Sequence, residues 1–453
     1  MAEQLVDEIH LRGDSTGPTG GHTLIFFVPG NPGLISYYNH FLVTLRSLLR
    51  QRESESHGRL PATVYHFHRA SLAGFDLALD SRAVRSDLKK SLPLSLVDQV
   101  LDTKERLHLT VERVAKEREV TSREIEVIMV GHSIGAYICL EIVSQLQKAA
   151  GAKINITASL CLFPTVFELA KSPMGRKVGP LTRIPSFALF MHVISRAIFG
   201  LMPLLAVTGL VGLVTKMPQH PARVTASFLQ SQWGVWQALH MARDEIANLT
   251  HDTWSDELWG GPARPLAVTA ATIKSQQSIR SSQDPRPKLH FYWGADDHWV
   301  AETTRDELFA TRARVADTPD QVNRPVMHVD TNGIGHAFCL DEADTRIVAE
   351  KCTAWNLIPE NPFTTIDCTS TLSLFTPLQS FSKTYLPLTG GENFNAILCF
   401  PLLILNRAEV TFGSPALASM DLVGRGASSS GAGMRAALKC GRLRWLMSSS
   451  RRV

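Results

Sequence analysis

Few cysteines occur in this chain, and their spacing excludes two classes of protein. There are seven in 453 residues, and no two of them form a Cys-x-x-Cys pair. An odd, scattered set of this kind is not a disulfide framework, and it lacks the ligand spacing of a structural zinc site. The pattern therefore indicates a protein of a reducing compartment.

The chain also lacks a strong excess of charge and a recognisable leader segment. Its 46 basic and 42 acidic residues leave a formal net charge of +4, which is too small and too scattered for a nucleic-acid-binding protein. No basic segment followed by an apolar one opens the chain, so we expect an unsecreted protein in which the sequons at Asn155 and Asn248 are coincidental. The 44% of hydrophobic and 19% of charged residues exclude a disordered chain and a bundle of membrane-spanning helices.

What the sequence does contain is an alternation of short β-rich segments with helical ones. The β-rich segments are 23–28, 63–67, 125–130, 156–163, 288–293 and 326–329. Segment 95–117 has the apolar spacing of a helix, with one stripe formed by Val97, Val100, Leu101, Leu107, Val111 and Val114. A capping box of Ser95 and Asp98 precedes that stripe. The alternation predicts an α/β fold with a largely parallel sheet covered by helices on both faces.

A long insertion interrupts this alternation between about residues 165 and 287. It contains the uncharged stretch 197–215, which is long enough to reach across a bilayer. Pro203 and several glycines interrupt the stretch, and Arg196 and Lys216 flank it, which favours a broken helix or hairpin lying in one leaflet or in a lipid monolayer. A lid folded over an apolar pocket is the equal alternative.

The alternation ends near residue 356, beyond which the sequence becomes rich in Ser, Thr and Gly. We therefore expect an N-terminal extension over residues 1–20 and one domain over residues 21–356 that includes the insertion. A disordered C-terminal tail is expected over residues 357–453.

The most informative local motif is Gly131-His132-Ser133-Ile134-Gly135, which joins the β-rich segment 125–130 to an apolar helical stretch. In this setting of strand, sharp turn and helix, the two glycines relieve crowding around a strained serine, whose Oγ is presented above the sheet. A chance pentapeptide in a turn does not need both flanking elements. The motif predicts Ser133 as a nucleophile.

A serine hydroxyl reacts only when a base removes its proton and a carboxylate orients that base. The segment 288–293 ends in a loop that carries Asp296 and Asp297. We favour Asp297 as the acid because it fits a Gly-x-x-Asp-x-x-Val spacing, and Asp296 is the alternative. Loop capping is the structural explanation for either carboxylate.

The base is expected in the glycine-bearing loop after the segment 326–329, where His336 lies. Its position completes the chain order Ser, Asp, His of one large class of hydrolases. His298 and His328 compete, but His298 lies beside the acid and His328 lies within the predicted strand. Both are explained more simply as packing or loop residues.

Acyl transfer also requires two N–H donors that face the oxyanion of the tetrahedral intermediate. One is expected from the backbone of Ile134, directly after the nucleophile. The other is expected from the loop Pro29-Gly30-Asn31-Pro32-Gly33, with the Asn31 amide as the favoured donor. A simple Pro/Gly turn is the alternative interpretation of that loop.

Further segments add a resemblance that extends over about residues 20–355. They are PGNPG at 29–33 with Tyr37, Tyr38 and Phe41, Ser95-Leu96 with Gln99-Val100, GHSIG, Leu162-Phe163-Pro164-Thr165 with Ser172-Pro173 and Gly175, YWGADDHW and GIGHAF. In these segments the chain resembles the lipid droplet-associated hydrolase family. The resemblance implies an α/β-hydrolase fold in which Ser133, Asp297 and His336 occupy the family's triad positions. It has two departures: residues 311–323 lengthen the interval between acid and base, and the segment after residue 356 has no counterpart.

The function implied by the resemblance is that of a serine carboxylic ester hydrolase, a lipase or esterase, that needs no metal or organic cofactor. Its expected substrates are neutral lipids of the sterol ester or acylglycerol type. Its expected location is the lipid droplet and the endoplasmic reticulum, on the cytosolic face, with the droplet monolayer or the reticulum membrane surface as partner and no nucleic acid. The alternative is a lipid-droplet organising protein with little turnover, which binds the monolayer through its apolar insertion. A dehalogenase or epoxide hydrolase is disfavoured because those enzymes have a carboxylate where Ser133 stands.

Overall fold

A seven-stranded sheet forms the centre of the part of the chain that the structure describes. The computed structural model describes residues 5, 7–11, 19–55, 62–75, 77, 92–149, 151, 153–263, 286–315 and 323–355. The strands are β1 (Glu8–Leu11), β2 (Thr19–Val28), β3 (Ala62–Ala70), β4 (Ile125–His132), β5 (Asn155–Leu162), β6 (Lys288–Trp293) and β7 (Val326–Val329). The predicted tail at 357–453 lies outside the described residues.

The sheet is almost entirely parallel, as the sequence predicted. Its strand order is β1-β3-β2-β4-β5-β6-β7, and β1 alone among these strands pairs antiparallel, with β3. Strand β1 was not predicted, because a strand of four residues at a sheet edge carries too short a pattern to be recognised. The sheet therefore includes part of the segment 1–20 that we expected to be an extension.

Helices connect the strands and pack around the sheet. They are α1 (Asn39–Glu55), α2 (Leu96–Arg118), α3 (Ile134–Lys148), α4 (Pro173–Thr182), α5 (Phe187–Phe199), α6 (Leu204–Thr215), α7 (Gln219–Gln230), α8 (Gly234–Asn248), α9 (Glu302–Arg312) and α10 (Glu342–Ala354). Helix α1 packs against α10, and α2 packs against α3. Central strand β4 is buried between them, since Val127, Met129 and Val130 have no exposed surface.

Helix α2 begins at the predicted capping box. The Ser95 Oγ accepts a hydrogen bond from the Asp98 N–H over 3.2 Å, and Asp98 Oδ2 accepts one from the Ser95 N–H over 2.8 Å. The predicted apolar stripe was partly wrong, because Val97 is 66% exposed and Leu101 is 56% exposed. Each lies one position, about 100°, beyond a buried residue of the true stripe.

The described part of the insertion between β5 and β6 contains the helices α4 to α8. No single helix in the described residues is long and apolar enough to cross a membrane; α5 and α6 meet that criterion only as a pair, and they are bent by 114° at the break between them. Pro203 stands directly before α6 at this break. The sequence therefore interrupts the apolar stretch at the proline that we identified.

The parallel strands place every predicted site residue at one edge of the sheet. The loop 29–33 follows β2, Ser133 follows β4, Asp297 follows β6, and His336 follows β7. Because the carboxyl ends of parallel strands meet at the same edge, residues far apart in sequence converge there. This edge is the candidate site.

Candidate active site

Ser133 lies in a sharp turn between β4 and α3. Its backbone has φ 55° and ψ −123°, a strained conformation for a residue with a side chain. Two hydrogen bonds hold the turn: the Ser133 N–H donates to the Leu162 carbonyl over 3.0 Å, and the Ala136 N–H donates to the Ser133 carbonyl over 3.0 Å. This arrangement is the strand–turn–helix geometry that the sequence predicted for the motif.

Glycine is required on both sides of this turn. A Cβ at Gly131 would lie 2.4 Å from the Gly135 carbonyl oxygen, and a Cβ at Gly135 would lie 2.3 Å from the Val28 carbonyl oxygen. Neither position can therefore hold a side chain without moving the backbone. The second contact also brings the start of α3 against the end of β2, beside the loop 29–33.

Ser133, His336 and Asp297 form one hydrogen-bonded chain. The Ser133 Oγ lies 3.0 Å from His336 Nε2, and His336 Nδ1 lies 2.7 Å from Asp297 Oδ2. All three residues are buried. A carboxylate only accepts, so Nδ1 donates its hydrogen to Asp297, and Nε2 is left to accept the hydrogen of the Ser133 hydroxyl.

The Asp297 carboxylate is held ionised by its neighbours. Burial alone would raise its pKa, but His336 and the backbone N–H of Trp299, which donates to Oδ1 over 2.9 Å, hold the pKa of Asp297 below its usual value. The alternative acid, Asp296, has an exposed side chain. The structure thus brings Asp297 to the histidine and leaves Asp296 at the surface.

Neither of the two competing histidines joins the serine to the carboxylate. His328 is exposed on β7 and stacks on Trp355, with 5.5 Å between ring centroids. The His298 ring lies beside His336, at 6.4 Å between centroids. His336 therefore joins the serine to the carboxylate, and His298 forms part of its surroundings.

A second hydrogen-bond chain, which the sequence analysis did not predict, ends at the backbone carbonyl of His336. His132 Nε2 lies 2.9 Å from the His336 carbonyl oxygen, and His132 Nδ1 lies 2.7 Å from the Tyr38 hydroxyl. Since a carbonyl only accepts, Nε2 donates and Nδ1 accepts from Tyr38, whose oxygen accepts the Gly30 N–H over 3.1 Å. Burial, with the nearby His336, lowers the pKa of His132 to about 3, so the ring is neutral.

A buried aspartate shapes the loop that carries His336. Asp330 Oδ1 accepts the Tyr292 hydroxyl over 2.7 Å, and Oδ2 accepts the Ile334 N–H over 2.8 Å. Burial would raise its pKa, but the Tyr292 and Ile334 hydrogen bonds outweigh that effect, and the pKa of Asp330 is lowered. The carboxylate therefore fixes the loop between β7 and His336.

The loop 29–33 approaches the serine closely. A Cβ at Gly30 would lie 2.9 Å from the Ser133 Cβ. Asn31 is buried beside it, and Ile134 begins α3. The predicted donor residues Asn31 and Ile134 are therefore the chain neighbours of two residues that lie close together, Gly30 and Ser133. Thr165, in the loop after β5, adds a hydroxyl 3.5 Å from the Ser133 Oγ.

The Asn31 side chain reaches away from this loop and into the insertion, where it contacts Glu245 on α8. Sequence reasoning did not identify Glu245, Tyr38 or His132 as parts of the site. Tyr38 accompanies the PGNPG segment and His132 lies within GHSIG, so these motifs could have indicated both residues. Nothing in the local sequence around Glu245 distinguishes it from a surface residue of a helix.

The fold and the positions of these residues are those of the α/β hydrolases. A parallel sheet carries a serine at a strand–helix turn after a central strand, followed along the chain by an aspartate and a histidine after later strands. That order and setting distinguish this class from other serine hydrolases.

The chain belongs to the lipid-droplet associated hydrolase family, whose pattern matches residues 21–339. It is 25% identical over 336 residues to the lipid droplet-associated hydrolase of Gallus gallus, covering 73% of this chain and 84% of that protein. It is 22% identical over 320 residues to the protein of the same name from Drosophila melanogaster, covering 70% and 84%. The resemblance inferred from the motifs is confirmed.

Solved structures of several hydrolases are also similar to this chain. The peroxisomal alpha-beta-hydrolase of Saccharomyces cerevisiae is 11% identical with a TM-score of 0.40, and the match covers 90% of this chain and 96% of that chain. The monoacylglycerol lipase of Paleococcus ferrophilus is 12% identical with a TM-score of 0.36, covering 77% and 98%.

Proposed function

We propose that the protein is a serine carboxylic ester hydrolase that acts on neutral lipid esters, of the sterol ester or acylglycerol type, at the lipid droplet surface. Ser133 is the nucleophile, His336 the base and Asp297 the acid. The observation that carries the proposal is the continuous hydrogen-bonded chain from the Ser133 Oγ through His336 to Asp297. Family membership supports a lipid as the substrate.

In the first half of the reaction, the Ser133 Oγ attacks the ester carbonyl while His336 Nε2 takes the hydroxyl proton. The imidazolium that forms is stabilised by the ionised Asp297 carboxylate at Nδ1. His336 then donates the proton to the leaving alcohol, and an acyl group remains on Ser133. No metal or organic cofactor is needed for these steps.

The oxyanion of the tetrahedral intermediate is stabilised by the backbone N–H groups of Ile134 and Asn31. Ile134 is the first residue of α3, where N–H groups lack partners within the helix and the helix dipole is positive. Such donors contribute most in the transition state, because they face the position where charge develops. In the second half of the reaction, His336 activates a water molecule that hydrolyses the acyl-enzyme.

The helix pair α5 and α6 is the surface that we propose for droplet attachment, on the cytosolic face of the droplet and the endoplasmic reticulum. Large apolar side chains are exposed on α6 and on the turn before it: Leu201 of the turn by 98%, and Leu205 and Leu213 of α6 by 83% and 79%. A monolayer has no second aqueous face, so a bent pair lying in it suits a droplet better than a spanning helix does. The same pair could instead cover the acyl pocket as a lid, and the two roles are compatible.

This exposed surface also favours a second function, that of a droplet organising protein with little turnover. The two functions differ in their dependence on Ser133. An effect of Ser133→Ala on droplet lipid content is expected only if hydrolysis is the function, whereas localisation should be independent of the serine in both cases.

The proposed function is tested by steady-state hydrolysis of a short, soluble acyl ester. Ser133→Ala and His336→Ala should lower kcat by about 10³–10⁶-fold, and Asp297→Asn by about 10⁴-fold, with unchanged thermal unfolding. Asp296→Asn is the matched control and should retain kcat, because that carboxylate is exposed. Retention of half the rate by Ser133→Ala would contradict the nucleophile assignment, and the reverse ranking of the two aspartates would move the acid.

A further inference from the structure

The side chain of Asn31 ties the loop after β2 to helix α8 of the insertion. Its Nδ2 donates one hydrogen bond to the Ala238 carbonyl over 3.0 Å and another to Glu245 Oε1 over 2.9 Å. A side-chain amide nitrogen carries two hydrogens, and here both are donated to acceptors on α8. Ala238 and Glu245 present the same face of the helix, since positions seven apart return to one side. The insertion is therefore bound to the residue that we propose as an oxyanion donor.

Glu245 is buried and carries its proton at neutral pH. Burial raises the pKa of Glu245 to about 8 against the opposing hydrogen bond from Asn31, and the negative charge of the adjacent Asp244 adds to the rise. The Asn31 Oδ1 is a buried acceptor with no partner among the described residues. A protonated carboxyl still offers an acceptor oxygen, which is the atom that the Asn31 Nδ2 contacts.

The loop has little freedom to move relative to the serine. Gly30 lies so close to Ser133 that a Cβ on it would be 2.9 Å from the Ser133 Cβ, and the Gly30 N–H donates to the Tyr38 hydroxyl. Asn31, the next residue, is held by Glu245. Two hydrogen bonds thus restrict the backbone N–H of Asn31: the one between Gly30 and Tyr38, and the one between the Asn31 side chain and Glu245. Only the second depends on the insertion.

We propose that Glu245 is a positioning residue, which acts through Asn31 to aim the Asn31 N–H at the ester oxyanion. Hydrolysis then depends on the position of helix α8 of the insertion, because α8 supplies both hydrogen-bond acceptors of the Asn31 amide nitrogen. The inference rests on the proposed function and adds a residue to its machinery. Glu245 itself touches neither the ester nor Ser133 in this role.

The expected signature is a loss of kcat without a change in KM. An oxyanion donor acts mainly in the transition state, so its displacement leaves substrate binding unchanged. Glu245→Leu removes the acceptor at similar size, and it should lower kcat on a short soluble ester by about 10–100-fold. Glu245→Gln offers Asn31 the same acceptor and donor pattern as the protonated acid, and it should retain most of the wild-type kcat.

A double-mutant cycle separates positioning from general packing. Asn31→Ala keeps the backbone N–H but loses both hydrogen bonds to α8, and it should lower kcat as Glu245→Leu does. If Glu245 acts through Asn31, the combined variant is no slower than Asn31→Ala alone, whereas independent effects would multiply. Gln237→Leu is the matched control: Gln237 lies on α8 and bonds to the Leu94 backbone instead. The Gln237→Leu variant should be less stable than the wild type and should retain the wild-type kcat.

The outcomes distinguish this inference from the proposed function. An active wild type with undiminished kcat in Glu245→Leu, or multiplied losses in the cycle, would overturn the inference and leave the hydrolase intact. If Glu245→Leu does not fold, Asn31→Ala decides the matter, and a wild-type kcat there would overturn it equally. A wild type without esterase activity would overturn the proposed function and this inference together.

Discussion

At the scale of single residues, the candidate site is a set of buried polar groups whose protonation is set by their partners. Asp297 is ionised because His336 and the Trp299 N–H stabilise its charge. His132 and Glu245 are neutral because burial penalises their charged forms. The charged Asp297 thus faces His336, while the neutral His132 and Glu245 bond to the His336 backbone and to the Asn31 side chain.

The Glu245 carboxyl makes protein stability depend on pH. Its pKa rises from the usual 4.5 to about 8 on folding, so the folded state binds the extra proton between these values. Stability from this group is fully present below the lower value and is lost as pH rises to the upper one. The loss reaches up to about 1.4 kcal/mol per pH unit.

Urea unfolding of the wild type and of Glu245→Gln, across a series of pH values, measures this effect. The Gln variant cannot ionise, so the difference between the two unfolding free energies should change in its favour with rising pH and level off above the raised pKa. A difference that is independent of pH would show that Glu245 is ionised in the folded protein.

Sequence reasoning predicted Ser133, Asp297 and His336 as the site residues because each follows a strand with a local pattern. It did not find Glu245, because that contact joins residues 214 positions apart. The contact depends on how the insertion packs, and no local periodicity records it. Tyr38 was noticed as part of a motif, but its hydrogen bond to His132 depends on a short 3-10 helix, Ile35–Tyr38, whose position only the folded chain defines.

At the scale of elements, helices α5 and α6 and the turn between them carry the most exposed large apolar side chains of the described residues. Leu201, Leu205 and Leu213 face outward, whereas Val207 and Val211 on the same segment are buried. The pair therefore packs on the insertion with one side and leaves an apolar side uncovered in the described residues. An exposed apolar surface marks an interaction site, and we propose lipid as its partner.

Replacing Leu201, Leu205 and Leu213 by serine should release the protein from lipid droplets. Each leucine that enters an apolar phase contributes roughly 1.5–3 kcal/mol, and interfacial binding has little free energy to lose. Imaging of the tagged variant, beside a short-ester assay that should be unchanged, measures the effect. Serine at Val97, Leu101 and Leu109 of α2, which are also exposed, is the matched control and should leave the protein on droplets.

Two other outcomes of that experiment have different meanings. A variant that remains on droplets but no longer hydrolyses long-chain lipid would assign α5 and α6 to a lid. A variant with unchanged location and unchanged long-chain hydrolysis would contradict both roles of the helix pair.

At the scale of the whole molecule, every described strand and every candidate-site residue lies before residue 356. The last described helix, α10, ends at Ala354, and it packs on α1 near the start of the domain. The sequence predicted the mainly parallel sheet because its buried strands are continuous apolar runs separated by helical ones. It did not predict β1, since this short edge strand is defined by its pairing with β3 and not by a pattern in its own sequence.

Truncation after residue 356 should leave a folded, active protein, because every strand and site residue described above lies before that position. Thermal unfolding and short-ester hydrolysis of the truncated chain, compared with the full chain, measure this. Insoluble or inactive truncated protein would show that residues 357–453 contribute to the fold. The apolar segment 396–405 is where such a contribution would be sought first.

The central claim is that the buried chain from Asp297 through His336 activates the Ser133 hydroxyl as a nucleophile. Covalent labelling with a fluorophosphonate, followed by mapping of the modified peptide by mass spectrometry, tests it directly, because this reagent reacts with serines only when they are activated. We predict an adduct on Ser133 in the folded wild type, and no adduct at that peptide in His336→Ala. A folded wild type that remains unlabelled, or a label on another serine, would contradict the account.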